Sequence, residues 1–295
     1  MLSDVHPGLR SAWQLLRRRQ DVTWLALWGI GMAVLLGWDL AFLNAPALSR
    51  FLFALGNTLV AGLLVVLMSL VLGWGSGIGL YLLERRGRKG PHLVLTFLLD
   101  VIRSVPQIVG VLAGYVILTV LIEHEILVDK SVLLFWVSVT VTVFVFQEIT
   151  DLVRDRIAQF AALDFYPAML CCGISESRIV NVEILWKNSR ANLLHAMLRI
   201  FGVAVFLQCS IDFILSVGLS TEVSSTNFPV TLGGLLATLD SKQDILAIGT
   251  VLANPAYIGQ LFFQHLQGIS VAFAITFTLL CMHKVTDGFV QRYRL

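Results

Sequence analysis

Polar side chains inside long apolar runs are the residues of this chain that could do chemistry. Asp212 is the clearest, with Gln208 four residues before it and Ser216 four residues after it. A charge at the centre of a bilayer costs about 2.5–3.5 kcal/mol on insertion scales, so it normally faces a bundle interior or water. We therefore expect these three residues to line a path for a solute or a proton. The alternative is a hydrogen bond between helices or a contact with a partner subunit.

A second polar group lies near one end of another apolar run. Asp100 and Arg103 are three residues apart and Pro106 follows them. On a helix, residues with this spacing share a face, so they are predicted to form an i,i+3 ion pair or to shape an inner gate. Pro106 is predicted to kink the helix because proline lacks a backbone N–H.

The sequence contains no pattern that indicates a catalytic or metal-binding site. Cys171 and Cys172 have no second Cys or His pair at ligand spacing, and the adjacent residues Glu123-His124-Glu125 cannot converge on one ion. The chain also lacks a Ser/His/Asp arrangement in a nucleophile-elbow context, a His-Glu-x-x-His pair and a P-loop. We expect a non-catalytic chain that binds no metal or nucleotide of its own.

Composition places these groups in a membrane protein. Of the 295 residues, 57% are hydrophobic and 14% are charged, and the mean hydropathy is +0.82. A helix that crosses the hydrocarbon core needs about 20 apolar residues. Six windows meet this need, and they predict an all-α polytopic protein: 22–43, 53–83, 93–122, 132–150, 193–219 and 261–283.

The basic residues predict the orientation. Most of the 21 Lys and Arg fall in four segments on one side of the predicted spans, and only Arg50, Lys130 and Lys242 fall on the other. Basic loops stay in the cytoplasm, so both termini are predicted to be cytoplasmic, with 1–21 as an N-terminal segment and 22–295 as the transmembrane domain. Anionic lipid explains the spread of basic residues, and no nucleic-acid partner is expected.

Two long connections separate the spans, an outer loop at about 220–260 and a cytoplasmic one at about 151–192, here called the central loop. In the central loop, Asp164 is predicted to cap a short helix that tolerates Pro167 in its first turn. Gly173 is predicted to end that helix, and Ser175 to cap a second one. The second helix carries Arg178, Ile179, Val182 and Leu185.

The central loop is rich in apolar groups for a solvated segment. They are Phe160, Phe165, Tyr166, Met169 and Leu170. Exposed apolar patches usually mark an interaction site, so we expect a partner to cover them. An interfacial loop that rests on lipid is the alternative.

The central loop resembles the EAA motif of ABC importer permeases, most closely that of the dipeptide, oligopeptide and nickel permease family. Its matching positions are Asp164, Phe165, Ala168, Gly173, Ser175, Arg178, Ile179, Val180, Ile184 and Leu185. Upstream, Asp100 to Pro106 looks like the family's D-x-x-x-x-x-P. Downstream, Asp287-Gly288 and Arg294-Leu295 resemble its carboxyl terminus. The resemblance covers about 50–295.

The resemblance implies a type I ABC permease fold with six spans in a bacterial inner membrane. Such a subunit pairs with a second permease, predicted here to form a heterodimer, and receives a peptide-like or metal-chelate-like solute from an extracytoplasmic solute-binding protein. ATP and Mg²⁺ would be held by cytoplasmic ATPase subunits. The residues that would contact the ATPase or shape the loop are Asp164, Phe165, Tyr166, Pro167, Ala168, Met169, Gly173, Ser175 and Arg178.

The chain also departs from the family pattern. Pro167 replaces the motif's glutamate and Met169 its second alanine, while Glu183 stands in place of its histidine and Trp186-Lys187 in place of its Pro-Asn. The family's outer G-T-D-x-x-G-R-D element is missing. These changes are expected to be tolerated if the second permease carries a loop closer to the pattern.

Other classes of function stay open. A stand-alone secondary transporter or channel would use Asp212 or Asp100 as a proton or ion site and would need no ATPase. A membrane scaffold that transports nothing is a third hypothesis.

Overall fold

The computed structural model describes residues 19–218, 228–238, 249–260 and 266–293. These residues are almost entirely helical and contain no strand, so the predicted all-α class is confirmed. In chain order the elements are α1 (Gln20–Phe42), α2 (Ala45–Arg85), α3 (Lys89–Ser104), α4 (Gln107–Glu123), α5 (Lys130–Val145), α6 (Gln147–Ala161), α7 (Phe165–Cys171), α8 (Glu176–Arg178), a π-helix (Ile179–Asn188), α9 (Arg190–Gly218), α10 (Leu232–Thr238), a 3₁₀ turn (Pro255–Tyr257) and α11 (Leu266–Tyr293).

Several helices are long and apolar enough to cross a membrane. Within the described ranges, α1, α2, α9 and α11 meet that condition alone. Two bent pairs, α3 with α4 and α5 with α6, raise the number to six if each pair is one span. The predicted windows fall on these helices wherever the structure describes them, and residues 219 and 261–265 of the last two windows lie outside the described residues. The lengths and composition of the helices are those of a multi-pass membrane protein.

The break between α3 and α4 follows from Pro106. The two helices are bent by 94°. Val105 is extended, with φ −86° and ψ 126°, as expected of a residue before proline, and Pro106 stands at the N-cap of α4. The predicted kink is confirmed, and it is a complete interruption of the helix.

The chain packs into two compact units. The first consists of Met1–Gly56, Asp212–Ser220 and Val230–Leu295, and α1 and α11 are its main pair. Three polar contacts join these two helices along their length: Asp21 with Arg292 at 2.8 Å, Trp28 with Thr278 at 3.0 Å and Asp39 with Ser270 at 2.5 Å. Hydrogen bonds and ion pairs of this kind hold two membrane helices together.

The second unit consists of Asn57–Ile211 and Thr221–Pro229. In it, α6 lies directly on the glycines of α2. A Cβ at Gly73 would lie 2.6 Å from Ile149 Cβ, and one at Gly77 would lie 2.7 Å from Val153 Cγ1. Small residues at this spacing let two helix backbones approach closely, and this contact positions α6 immediately before the central loop.

Candidate functional site

The start of the central loop differs in one detail from its prediction. α7 begins directly after Asp164, but the carboxylate makes no capping hydrogen bond. Asp164 has helical torsions, φ −58° and ψ −21°, and Pro167 at the third helical position has no N–H to donate. The predicted cap position is right and its hydrogen bond is wrong. Ser175 likewise precedes α8 without a side-chain cap bond.

Gly173 ends α7, as predicted. Its φ is +77°, in the left-handed region. The N–H of Gly173 donates to Leu170 O at 3.0 Å and that of Ile174 donates to Met169 O at 3.2 Å, the two bonds of a Schellman motif. A Cβ at 173 would meet nothing within 4 Å, so backbone conformation alone selects glycine here.

Tyr166 ties the central loop to the end of α2. Its side chain is buried, and its hydroxyl lies 3.0 Å from Tyr81 Oη and donates to Glu176 Oε1 at 3.0 Å. Arg85 Nη1 donates to both tyrosine hydroxyls and forms a 2.8 Å ion pair with Glu176. Burial raises the pKa of Tyr166, and its hydrogen bonds with Tyr81 and Glu176 raise it further, so the phenol stays neutral. Tyr166 is therefore a buried residue that fixes the conformation of the central loop against α2.

The opposite side of α7 is exposed. Its residues recur at i, i+3, i+4, i+7 and i+8, which places them on one face of a helix. We call this the α7 outer face, and its members are Asp164, Pro167, Ala168, Cys171 and Cys172.

The apolar groups of α7 are covered in part by the chain itself. Phe165, Met169 and Leu170 are half-buried, and the Phe165 ring meets Phe160 edge to face at a centroid distance of 6.4 Å. Tyr166 is 4% exposed, so the expectation that it needs an outside partner is wrong.

The second helix of the loop is a π-helix over most of its length, where the sequence predicted an α-helix. Its buried residues form two doublets five positions apart, Ile179-Val180 and Ile184-Leu185. Spacing of five matches i→i+5 hydrogen bonding. Val182, which the sequence places on the same helix, is 37% exposed.

The π-helix is also fixed to α2. Trp74 Nε1 donates to Asn181 Oδ1 at 2.8 Å, and Asn181 Nδ2 donates to Ser177 O at 3.0 Å. The central loop is thus held on α2 at two places, near Trp74 and at Arg85. Arg178, one of the predicted loop residues, is exposed.

Arg103 does not pair with Asp100 as predicted. Its Nη2 lies 2.8 and 2.7 Å from the two carboxylate oxygens of Asp151, and its Nε donates to Gln147 Oε1 at 3.3 Å. Gln147 is oriented for this by its bond to Leu99 O at 2.8 Å. Gln147 and Asp151 lie about one helix turn apart on α6 and together offer Arg103 three acceptor oxygens. The carboxylate of Asp100, on the same helix as Arg103, offers fewer.

Asp212 forms a hydrogen bond between α9 and the start of α10. A hydrogen bond between helices is the alternative that the sequence left open beside a position on the translocation path. The carboxylate is buried and accepts from Thr231 Oγ1 at 2.5 Å. Thr231 Oγ1 in turn accepts from Gly234 N at 3.1 Å and so caps α10. Gln208 is also buried, and the Ser216 side chain lies outside the described part of the chain.

Sequence reasoning missed the residues that hold these elements together. Arg85 and Glu176 belong to no motif in the sequence, and Asp39 is a lone carboxyl group that interrupts an apolar run. A buried carboxyl needs a partner, so Asp39 was a signal that could have been used.

Comparison with known proteins assigns no family. No protein-family model matches the chain, and no curated protein matches it. Among the described residues, no group of three His, Cys, Asp or Glu side chains could hold a metal ion.

Proposed function

We propose that this chain is a permease subunit of an ABC importer, in a bacterial cytoplasmic membrane, whose α7 outer face docks on an ATPase. The observation that carries the proposal is a short helix with one exposed face and one face fixed to a long helix, α2. The resemblance of the same segment to the EAA motif supports it independently of that geometry.

The contacts of the central loop are suited to transmitting force. The buried Tyr166 and the Arg85–Glu176 ion pair connect α7 to α2, and the Trp74–Asn181 bond connects the π-helix to α2. α2 has 41 residues, about 60 Å at 1.5 Å per residue, which exceeds the roughly 30 Å hydrocarbon core. A displacement of α7 by a partner would therefore be passed to a helix that extends beyond the bilayer.

The other subunits of the proposed importer would supply the functions that this chain lacks. The chain has no P-loop, so ATP and Mg²⁺ belong to the partner ATPase. A second permease completes the translocation path, and a solute-binding protein delivers a peptide-like or metal-chelate-like solute. The two bent helix pairs and the four long helices supply up to six spans for this purpose.

The proposal is tested by ATP-driven uptake into liposomes that contain the complex purified with this chain. Ala168→Asp places a charge on the α7 outer face and is expected to lower uptake at least tenfold while the complex still binds solute. Ala158→Asp makes the same change at an exposed position of α6, off that face, and is expected to leave uptake unchanged. Equal uptake by Ala168→Asp and the parent chain would refute the docking role.

A further inference from the structure

One helix of the second unit has an apolar face that the chain does not cover. On α3, Leu93, Val94, Phe97, Leu98 and Val101 are 46–70% exposed. They recur at i, i+1, i+4, i+5 and i+8 and so lie on one side of the helix.

The protein-facing side of α3 is separate from this face. Leu99 is buried with Leu80 and Phe146, and Leu95 and Ile102 pack against them. The remaining side is polar and exposed, and it includes Asp100 and Arg103. α3 therefore presents three faces, one each to protein, to an apolar medium and to water.

The direction of α3 follows from its neighbour. α4 has 17 residues with no polar face, which is within the range that spans a bilayer. If α4 crosses the membrane, the 94° bend at Val105–Pro106 places α3 parallel to the membrane plane. An amphipathic helix in that position buries its apolar face about 5–10 Å into the boundary between headgroups and acyl chains.

Charge identifies the surface that α3 meets. Arg86, Arg88 and Lys89 are exposed at its start, and within the described residues none of them takes part in an ion pair. Clusters of basic residues next to an amphipathic helix attract anionic lipid, with each Lys or Arg contributing about fivefold to binding.

We propose that α3 is an in-plane lipid-binding helix, with its apolar face in the acyl chains of the cytoplasmic leaflet and Arg86, Arg88 and Lys89 on anionic headgroups. This goes beyond the proposed coupling function and does not depend on an ATPase. The proposal also explains the break at Pro106, since one continuous helix could not lie in the membrane plane and also cross the membrane.

Spin labels on neighbouring faces of α3 test the position of the helix. The full chain, with Cys171→Ser and Cys172→Ser, is labelled with a nitroxide at Leu98→Cys or, as the matched control, at Asp100→Cys. Both are reconstituted in phosphatidylcholine–phosphatidylglycerol vesicles. We expect the Leu98 label to collide with oxygen more than with a water-soluble nickel complex, and the Asp100 label to show the reverse. Two labels equally open to nickel, or a Leu98 label shielded from both reagents by protein, would overturn the proposal.

Removal of the basic cluster tests the choice of lipid. The triple variant Arg86→Gln, Arg88→Gln and Lys89→Gln should lower the preference for spin-labelled phosphatidylglycerol over phosphatidylcholine, by up to about fivefold for each charge. Lys130→Gln, at the exposed start of α5, is the control and should leave that preference unchanged. An unchanged preference in the triple variant, or an equal loss in the control, would contradict the assignment.

Discussion

Gly173→Ala isolates the role of backbone conformation in the central loop. An L-residue with a Cβ costs roughly 1–2 kcal/mol to hold in the left-handed region. A Cβ at 173 meets nothing within 4 Å, so no steric clash adds to that cost. A free energy of about 1–2 kcal/mol corresponds to a fall of roughly 5–30-fold in the population of the observed loop relative to opened forms.

Two matched variants separate this effect from a general loss of helix. Asn adopts left-handed torsions more readily than Ala, so Gly173→Asn should cost less than Gly173→Ala. Gly87, with φ +64°, ends α2 in the same Schellman geometry and also has open space for a Cβ. Gly87→Ala should therefore weaken the end of α2 by a similar amount, and the amides of residues 173 and 174, which bond only within their own turn, should exchange less rapidly in it than in Gly173→Ala.

Amide hydrogen exchange in detergent micelles measures the change directly. The N–H groups of residues 173 and 174, which donate to Leu170 and Met169, are expected to exchange roughly 5–30-fold faster in Gly173→Ala. Unchanged exchange at these two amides, or equal acceleration by Ala and Asn, would refute the conformational explanation.

Three further predictions concern packing and hydrogen bonding. Gly77→Ala should lower the free energy of unfolding by about 1–3 kcal/mol, since its Cβ would lie 2.7 Å from Val153 Cγ1. Gly75→Ala is the control, because a Cβ at 75 has open space. Equal thermal midpoints of the two variants in detergent would contradict this prediction. Tyr166→Phe keeps the ring and loses bonds to Glu176 and Arg85, at a cost of about 1–3 kcal/mol, and should speed proteolysis within the central loop. Thr231→Val removes both the Asp212 bond and the α10 cap, so it should lower the thermal midpoint more than Thr231→Ser, which keeps a hydroxyl.

Features set by a single residue's backbone could be predicted from the sequence. Gly173 ended its helix and Pro106 broke its own, because a glycine's torsional freedom and a proline's missing N–H act within a few residues. Apolar run length likewise predicted the long helices.

Contacts between distant segments could not be predicted in the same way. The sequence offers Arg103 more than one carboxylate as a partner, including Asp100 and Asp151. The ion pair with Asp151 forms because α6 packs against α3, and the sequence does not show that packing. The burial of Tyr166 depends on Tyr81 and Arg85, which are more than 80 residues away in the chain. The second helix of the central loop lies between these cases. The helix itself was predicted, but its π-helical form was not, although its two apolar doublets lie five positions apart in the sequence.

Maleimide labelling of the two native thiols on the α7 outer face tests the proposed docking most directly. Cys171 and Cys172 are exposed, while Cys209 and Cys281 in the same chain are buried and provide the background. We expect labelling of Cys171 and Cys172 in membranes to fall several-fold when the co-purified ATPase is bound and to recover when it is removed. Equal labelling with and without the ATPase, in a complex that still drives uptake, would contradict the docking of α7.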